Sequence, residues 1–452
     1  MKTIGFIAMS GVRAHNEELT KLGLTLPGFV ERNRTIASLP SLGLLTLAGL
    51  TPTDRFNVEY CEIDDLRKGP ALPEHFDLVA ISTFTAQIFE AYEVCDFYLS
   101  RNIPVVMGGI TVSSLAAEAK AHCTSVVIGE GEPLWPLVLR DFENASLKPF
   151  YRHPAPGAFD LQDAPMPRFD LLDPEKYNRI TVQTSRGCPH KCEFCASSIL
   201  LTPRYKLKPV EKVIAEIREI KRIWPRPFIE FADDNSFVNV RHYKGLLRAL
   251  QKENLRWFTE ADLNVAKDDE LLALMRDSGC QQILIGLESP RVSSLNGVEL
   301  NGNWKARQQD LYMSAIAKIQ SYGITVNGCF ILGLDGDTPE VFEQVHDFVR
   351  DSGLYEVQIT FLTAFPGTPL YGRLKEEDRI IRDRAWELCT LFDINVRPKN
   401  MSVEQLQSGF LHLAKVLYST EETNDRRRGF RRRLKTSRNF GPRSRLELEL
   451  AA

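Results

Sequence analysis

The sequence predicts an α/β protein built from two strand–helix units in tandem and closed by a short helical region. Three observations predict it. Near-continuous apolar runs alternate with helix-period segments from residue 4 to 142, and again from 180 to 362. Six prolines between residues 149 and 174 interrupt the alternation, where no helix persists. The second unit then opens on three closely spaced cysteines, Cys188, Cys192 and Cys195, directly after its first apolar run. The expected division is a first domain over 1–148, a connector over 149–179, a second domain over 180–400 and a C-terminal helix with a basic tail over 401–452.

In the first unit, strands are expected at 4–9, 56–61, 77–82, 104–109 and 125–128, with helices at 41–50, 86–100, 113–121 and 133–142. Strands that are apolar throughout, rather than alternating, belong to a parallel sheet covered on both faces, a doubly wound arrangement. Ligands of such sheets lie in the crevice beyond the carboxyl ends of the strands. Ser82 and Thr83, Gly108 and Gly109, and Gly129 and Glu130 stand at three of those ends. Glycine there lets a ligand approach the backbone. The long polar segment 10–37, with His15, Asn16, Arg32, Asn33 and Arg34, reads as an irregular loop of the kind that often carries function.

In the second unit, strands are expected at 180–184, 228–232, 257–261, 282–286, 325–332 and 356–362, and helices at 209–223, 240–253, 268–278, 308–321 and 339–352. Thr338 before Pro339 marks a helix start. Polar residues gather where the strands end: Asp233, Asp234 and Asn235, then Glu260 and Asp262, Glu288 and Ser289, Gly333 and Asp335, and the segment 363–369. Aspartate and asparagine before a helix also serve as caps, so both roles stand for 233–235. The C-x3-C-x2-C spacing lets one loop wrap three thiolates around a metal centre. A four-iron cluster takes four protein thiolates when it only carries electrons. Three leave one iron open to bind and activate something else. The alternative is zinc, with His190 or a distant residue as fourth ligand, since Cys3His is a zinc combination. The other six cysteines are scattered, mostly in apolar runs where buried thiols are ordinary.

Residues 185–195, Ser-Arg-Gly-Cys-Pro-His-Lys-Cys-Glu-Phe-Cys, closely resemble the signature of the radical S-adenosylmethionine (SAM) superfamily. The resemblance implies a partial (β/α)6 barrel, a [4Fe-4S] cluster on the three cysteines, and SAM chelated by the open iron and cleaved reductively. It implies that Asp233 and Asp234 hold the SAM amino group and that Glu288 reaches the ribose. The Phe194 main chain and the segments after the last two strands, Gly333 included, would contact adenine. Upstream, Pro-Ser-Leu-Gly at 40–43, Val-Met-Gly-Gly at 106–109 and Ile-Gly-Glu-Gly-Glu-Pro at 128–133 resemble the Rossmann-like cobalamin-binding domain that often precedes such a barrel. Ser82, Thr83, Gly108, Gly109, Gly129 and Glu130 would then be its corrinoid contacts. The cobalt-coordinating Asp-x-His-x-x-Gly is absent around His15, His75 and His122, so the corrinoid would take no protein histidine. The function implied is cobalamin-dependent methyl transfer to an unactivated carbon of a small molecule, with an electron donor such as flavodoxin or ferredoxin. The alternative is transfer of the 3-amino-3-carboxypropyl group of SAM, or another non-methyl radical reaction, with a cobalamin-free first domain.

Composition bounds the rest. With 43% hydrophobic and 25% charged residues and a net charge of −3, the chain is of the ordinary soluble class and offers no global electrostatic case for nucleic acid or membrane. No apolar run approaches the ~20 residues of a bilayer span. The first residues read as a strand rather than a signal peptide, so a cytoplasmic setting with reduced thiols is expected. Ten basic residues between 426 and 445 are expected to form a solvated tail. Together with the zinc alternative, they are what a non-catalytic zinc- or RNA-binding protein would show.

Overall fold

The computed structural model describes residues 1–21, 39–155, 157–202, 204–437 and 439. Arg32, Asn33 and Arg34 therefore lie outside the described residues. The first sheet has six parallel strands: β1 (Lys2–Met9), β2 (Phe56–Ile63), β3 (Leu78–Thr83), β4 (Val105–Gly108), β5 (Ser125–Ile128) and β6 (Phe150–Arg152). Their order is β2-β1-β3-β4-β5-β6. Ile7, Met9, Val79, Ile81, Val105 and Met107 pack on one side, against the helix Ile88–Leu99. Ile4, Phe6, Ala8, Leu78, Ala80 and Val106 pack on the other, with Leu44 and Trp135. Both faces of β1, β3 and β4 are buried, which is why these strands carry no polar alternation, whereas the edge strand β2 exposes Asn57 and Glu59. The order reverses beside β1, and a ligand crevice opens at the carboxyl ends next to such a reversal. The sixth strand falls in the proline-rich stretch. Its three residues include one buried side chain, Tyr151, so no apolar run announces it.

After the connector come β7 (Ile180–Val182) and a small antiparallel hairpin of β8 (Ser185–Arg186) and β9 (Lys206–Leu207), which brackets the cysteine loop. Then follow β10 (Phe228–Ser236), β11 (Arg256–Ala261), β12 (Cys280–Glu288), β13 (Thr325–Leu332) and β14 (Glu356–Phe361). They form a second parallel sheet in the order β14-β13-β12-β11-β10-β7, a curved partial barrel of six strands. Ile229, Phe231, Trp257, Ile283, Ile285, Val326 and Ile359 pack outward into the helical layer. The alternate positions, among them Glu260, Leu284, Cys329 and Thr360, face the lumen. Period-two alternation sets this division.

Two C-terminal helices follow the barrel among the described residues. The first, Val403–Leu417, starts at a capping box formed by Ser402 and Gln405. The second, Thr420–Thr436, corrects the expectation of a solvated basic tail up to that point. Arg426, Phe430 and Leu434, four residues apart, are buried on one face. Arg426 donates to Leu417 O, satisfying the end of the preceding helix, at 2.9 Å. Arg433 donates to Gly353 O at 2.6 Å, at the amino-terminal rim of the barrel and opposite the strand ends that carry the cysteines. No helix among the described residues is long and apolar enough to cross a membrane.

Candidate active site: two adjoining cavities

At the carboxyl end of the barrel, Cys188, Cys192 and Cys195 line one cavity of about 370 Å³ together with Phe194, Asp234, Asn235, Glu260, Glu288 and Lys305. Burial raises the pKa of all three thiols, that of Cys192 to about 12, so without metal they are protonated. Two sulfurs already receive hydrogen bonds. Asn235 Nδ2 donates to Cys188 Sγ at 3.7 Å, and the Ser198 amide donates to Cys195 Sγ at 3.4 Å. Donors aimed at sulfur suit thiolates bound to iron, where they tune the cluster. Among the described residues no three His, Cys, Asp or Glu side chains converge as a single metal ion requires. His190, the nearby candidate for a fourth zinc ligand, is hydrogen-bonded through Nε2 to Asp262 at 3.1 Å and stacked on Trp304 with ring centroids 4.1 Å apart. The residues present fit a cluster held by three cysteines.

The carboxylates around this cavity divide by what they already hold. Asp234 lines it; its Oδ2 accepts from the Gly187 amide at 2.6 Å, and burial raises its pKa. Asp233, adjacent in sequence, points the other way because strand neighbours face opposite sides. It accepts from the amides of Thr184 and Ser185, each at 2.8 Å, from Ser236 Oγ at 2.8 Å, from Tyr243 Oη at 2.9 Å and from the Thr184 hydroxyl. Every direction is taken, so Asp233 fastens the strand that leads into the cysteine loop and is not part of the cavity. Glu288 reaches the cavity with a left-handed backbone, φ 62°. Its Oε1 accepts from Lys305 Nζ at 2.8 Å, and Lys305 also donates to Gly286 O at 2.6 Å. Burial alone would lower the lysine pKa, but Glu288 overrides it and the ammonium is retained. Lys305 gave no signal in sequence, being seventeen residues past Glu288 in an irregular stretch. Glu260 stands in the open lumen yet is ringed by protein. That enclosure, then the carboxylates of Glu230, Asp234 and Glu288, push its pKa up to about 8. Gly333 is outside the lining; its amide donates to Asp337 at 3.0 Å.

The first domain has a cavity of its own, the first cavity, about 290 Å³ at the carboxyl ends of β3, β4 and β5, the barrel's being the second. Ser82, Gly108, Gly109, Gly129 and Glu130 all line it, with Gly43, Leu44 and Leu47 from the helix Leu42–Gly49. Thr83 does not; its hydroxyl bonds to Phe84 O. A methyl group added at Gly43 or Gly129 would meet no protein atom within 4 Å. Gly129 also has φ 86°, a conformation that disfavours other residues. Both positions leave open space at the cavity. No histidine is among the described residues that line it. One edge is a buried ionic cluster that the sequence did not reveal. Arg186 Nη1 meets Glu130 at 2.8 Å, its Nη2 meets Glu132 at 2.5 Å, and Lys206 Nζ meets Glu130 at 2.6 Å. Glu130 is thus committed to the hairpin of the barrel domain, and the two domains are joined by charge at the cavity's edge.

Residues 182–349 match the Radical SAM superfamily. The chain belongs to that superfamily. Residues 368–451 match a domain of unknown function, DUF4070. Over 400 residues the chain is 27% identical to bacteriochlorophyllide d C-12(1)-methyltransferase of Chlorobaculum tepidum, covering 87% of this chain and 85% of the relative. Over 358 residues it is 30% identical to hopanoid C-2 methylase of Rhodopseudomonas palustris, covering 77% and 66%. Among solved structures it shares its fold with the radical SAM methyltransferase TsrM of Kitasatospora setae, described with cobalamin and a [4Fe-4S] cluster bound: TM-score 0.60 and 17% identity over 84% of this chain and 76% of that one. The cobalamin-dependent radical SAM enzyme OxsB gives TM-score 0.60 and 17% identity over 85% and 63%. This chain is a radical SAM enzyme.

Proposed function

We propose that this radical SAM enzyme transfers a methyl group to carbon in a small molecule, using a corrinoid in the first domain and a cluster with SAM in the second. The observation that carries the reading is the adjacency of the two cavities. Ala232 lines the first and Asp234 the second, two residues apart on β10, which is roughly 6.6 Å of strand. When bound, SAM on the reduced cluster supplies a carbon-centred radical and the corrinoid supplies the methyl group. The chain's own residues bind and orient. Cys188, Cys192 and Cys195 hold three irons. Asp234 offers its remaining carboxylate oxygen to the SAM ammonium, and Glu288, braced by Lys305, is placed for the ribose hydroxyls. The open backbone at Gly43 and Gly129 would admit a large planar ligand. The cluster needs a one-electron donor of the flavodoxin or ferredoxin class and a reducing compartment such as the cytoplasm.

Anaerobic reconstitution with iron, sulfide and hydroxocobalamin, followed by gel filtration and incubation with SAM and a reductant, tests the reading. Cobalt co-eluting with the protein and 5′-deoxyadenosine as the nucleoside product support it. Methylthioadenosine, with no cobalt retained, would overturn it in favour of 3-amino-3-carboxypropyl transfer.

A further inference from the structure

The segment following β14 belongs largely to the region of unknown function, and its contacts assign it a role. It reaches the cysteine loop. Arg373 grips Glu193, the residue between Cys192 and Phe194, with both ends of its guanidinium: Nη2 to Oε1 at 2.7 Å and Nε to Oε2 at 3.0 Å. The Leu370 amide donates to Glu193 O at 3.0 Å, so the side chain and the backbone of one loop residue are both held. Arg373 also binds Asp335, just beyond β13, at 2.7 Å. The same segment reaches the first domain. Arg384 pairs with Glu118 at 2.9 Å, and Trp386 Nε1 donates to Glu118 at 3.2 Å. Trp386 and Cys389 are buried in the apolar cluster of Ile88, Ala91, Tyr92 and Cys95. Beyond them, Asp393 accepts from the amides of His15 at 2.8 Å and Asn16 at 3.0 Å.

We propose that residues 370–393 are a strut that fixes the cluster loop relative to the first domain, with Arg373 as its positioning residue at one end and Glu118 as its anchor at the other. Packing alone would not require this pattern. The fork-to-carboxylate grip at Glu193 is part-exposed and contributes little to global stability, yet it fixes direction as well as distance. A loop that supplies three ligands to one cluster has no other side-chain tie at its midpoint among the hydrogen bonds of residues 192–194 in the described structure. Two cofactor cavities in neighbouring domains work together only if their separation is fixed, and interfaces between domains otherwise permit motion. The strut, in the segment that follows the last barrel strand, adds a second tie to the one that Arg186 and Lys206 make with Glu130 and Glu132. The tie between loop and first domain stands on its own contacts; that the loop carries a cluster rests on the reading of Cys188, Cys192 and Cys195 given above.

The test is hydrogen exchange, read by mass spectrometry, on the full-length chain with its cluster reconstituted anaerobically. Arg373→Gln removes the grip, and Arg384→Ala loosens the distant anchor at an exposed position where folding is not at risk. The expected result is that both raise exchange across residues 188–200 by about fivefold, the scale of one part-exposed ion pair, with iron content unchanged. Arg373→Lys, which keeps the charge but not the fork, recovers only part of the protection. The reduced cluster with SAM should also give a broadened paramagnetic resonance spectrum in both variants. If Arg384→Ala raises exchange only around 384–389 and 116–119 and leaves the cluster spectrum unchanged, the strut is refuted and these are local contacts. Iron content of the wild type separately tests the cluster: loss of loop protection in a chain that binds no iron would overturn the cluster reading and leave the strut standing.

Discussion

Replacing Arg186 with methionine should strand one carboxylate, and the structure says which. Arg186 serves Glu130 and Glu132 together, with both carboxylates and the guanidinium almost fully buried. Lys206 still holds Glu130 at 2.6 Å in the variant, whereas Glu132 loses the cation it faces. Breaking a buried pair by removing one partner costs about 3–5 kcal/mol. Protonation limits the loss, since a stranded carboxyl becomes neutral when that is cheaper than staying charged. The limit is about 1.4 kcal/mol for each pH unit above the ordinary carboxylate range, roughly 3–4 kcal/mol at pH 7 and about 1 kcal/mol at pH 5. Urea unfolding of the anaerobic apoprotein should therefore show Arg186→Met losing about 3 kcal/mol at pH 7 and much less at pH 5. Adding Glu132→Gln should recover all but about 1 kcal/mol, because residues in one ionic network are not additive. A loss of the same size at both pH values, or no recovery in the double variant, would refute the stranded-charge account.

Other outcomes follow from the same geometry. Gly43→Phe places a ring in the first cavity while improving helix propensity by up to about 1 kcal/mol; hydroxocobalamin should no longer co-elute on gel filtration, with the melting temperature unchanged or higher. Asp233→Asn turns an acceptor ringed by donors into a partial donor, so thermal stability should fall by about 2–3 kcal/mol and the affinity of the remaining folded protein for SAM should be retained, as measured by calorimetry. Glu288→Gln should weaken SAM binding about tenfold and, because Lys305 loses its counter-charge, also lower stability. Glu260 has a folded pKa raised to about 8 by enclosure and neighbouring carboxylates, so the stability it contributes is present at low pH and is lost as pH rises through about 8. A cationic ligand favours its ionised form, so calorimetry in buffers of different ionisation heat should show SAM binding release protons near pH 7 and few near pH 9, with affinity rising between them.

The architecture was legible because its signals are periodic. Apolar strands without alternation required a sheet covered on both faces, and the cysteine spacing marked the loop after the first barrel strand. Cys188, Cys192, Cys195, Phe194, Asp234 and Glu288 do share one cavity, and Ser82, Gly108, Gly109, Gly129 and Glu130 share the other. What sequence could not separate was a carboxylate that is available from one that is spent. Asp233 and Asp234 are chemically alike and adjacent, but strand alternation turns one into a knot of donors and the other into the lumen. Arg186, Lys206, Lys305 and Arg373 were invisible because each acquires meaning from a partner far along the chain; Arg373 and Glu193 are 180 residues apart. The basic run misled because composition does not show that Arg426 and Arg433 end on backbone carbonyls.

These tertiary partners converge on the cysteine loop. At its entry, Arg186 is locked into the ionic cluster of the first domain and the Gly187 amide is held by Asp234. At its midpoint Glu193 is held by Arg373. At its exit Lys206 returns to Glu130, and Lys208 pairs with Glu216 at 2.7 Å. Entry and exit are thus joined to the same carboxylate, Glu130, which also borders the first cavity. A loop proposed to carry three cluster ligands needs such support, because a displacement of about 1 Å at a reacting centre can cost a hundredfold in rate. Spending Glu130 on that support explains how a residue at the end of β5 can border the first cavity without being free to serve a ligand there. Its two cations hold the entry and exit of the cysteine loop, and the first cavity is left to backbone, hydroxyls, the Gln183 amide and apolar side chains.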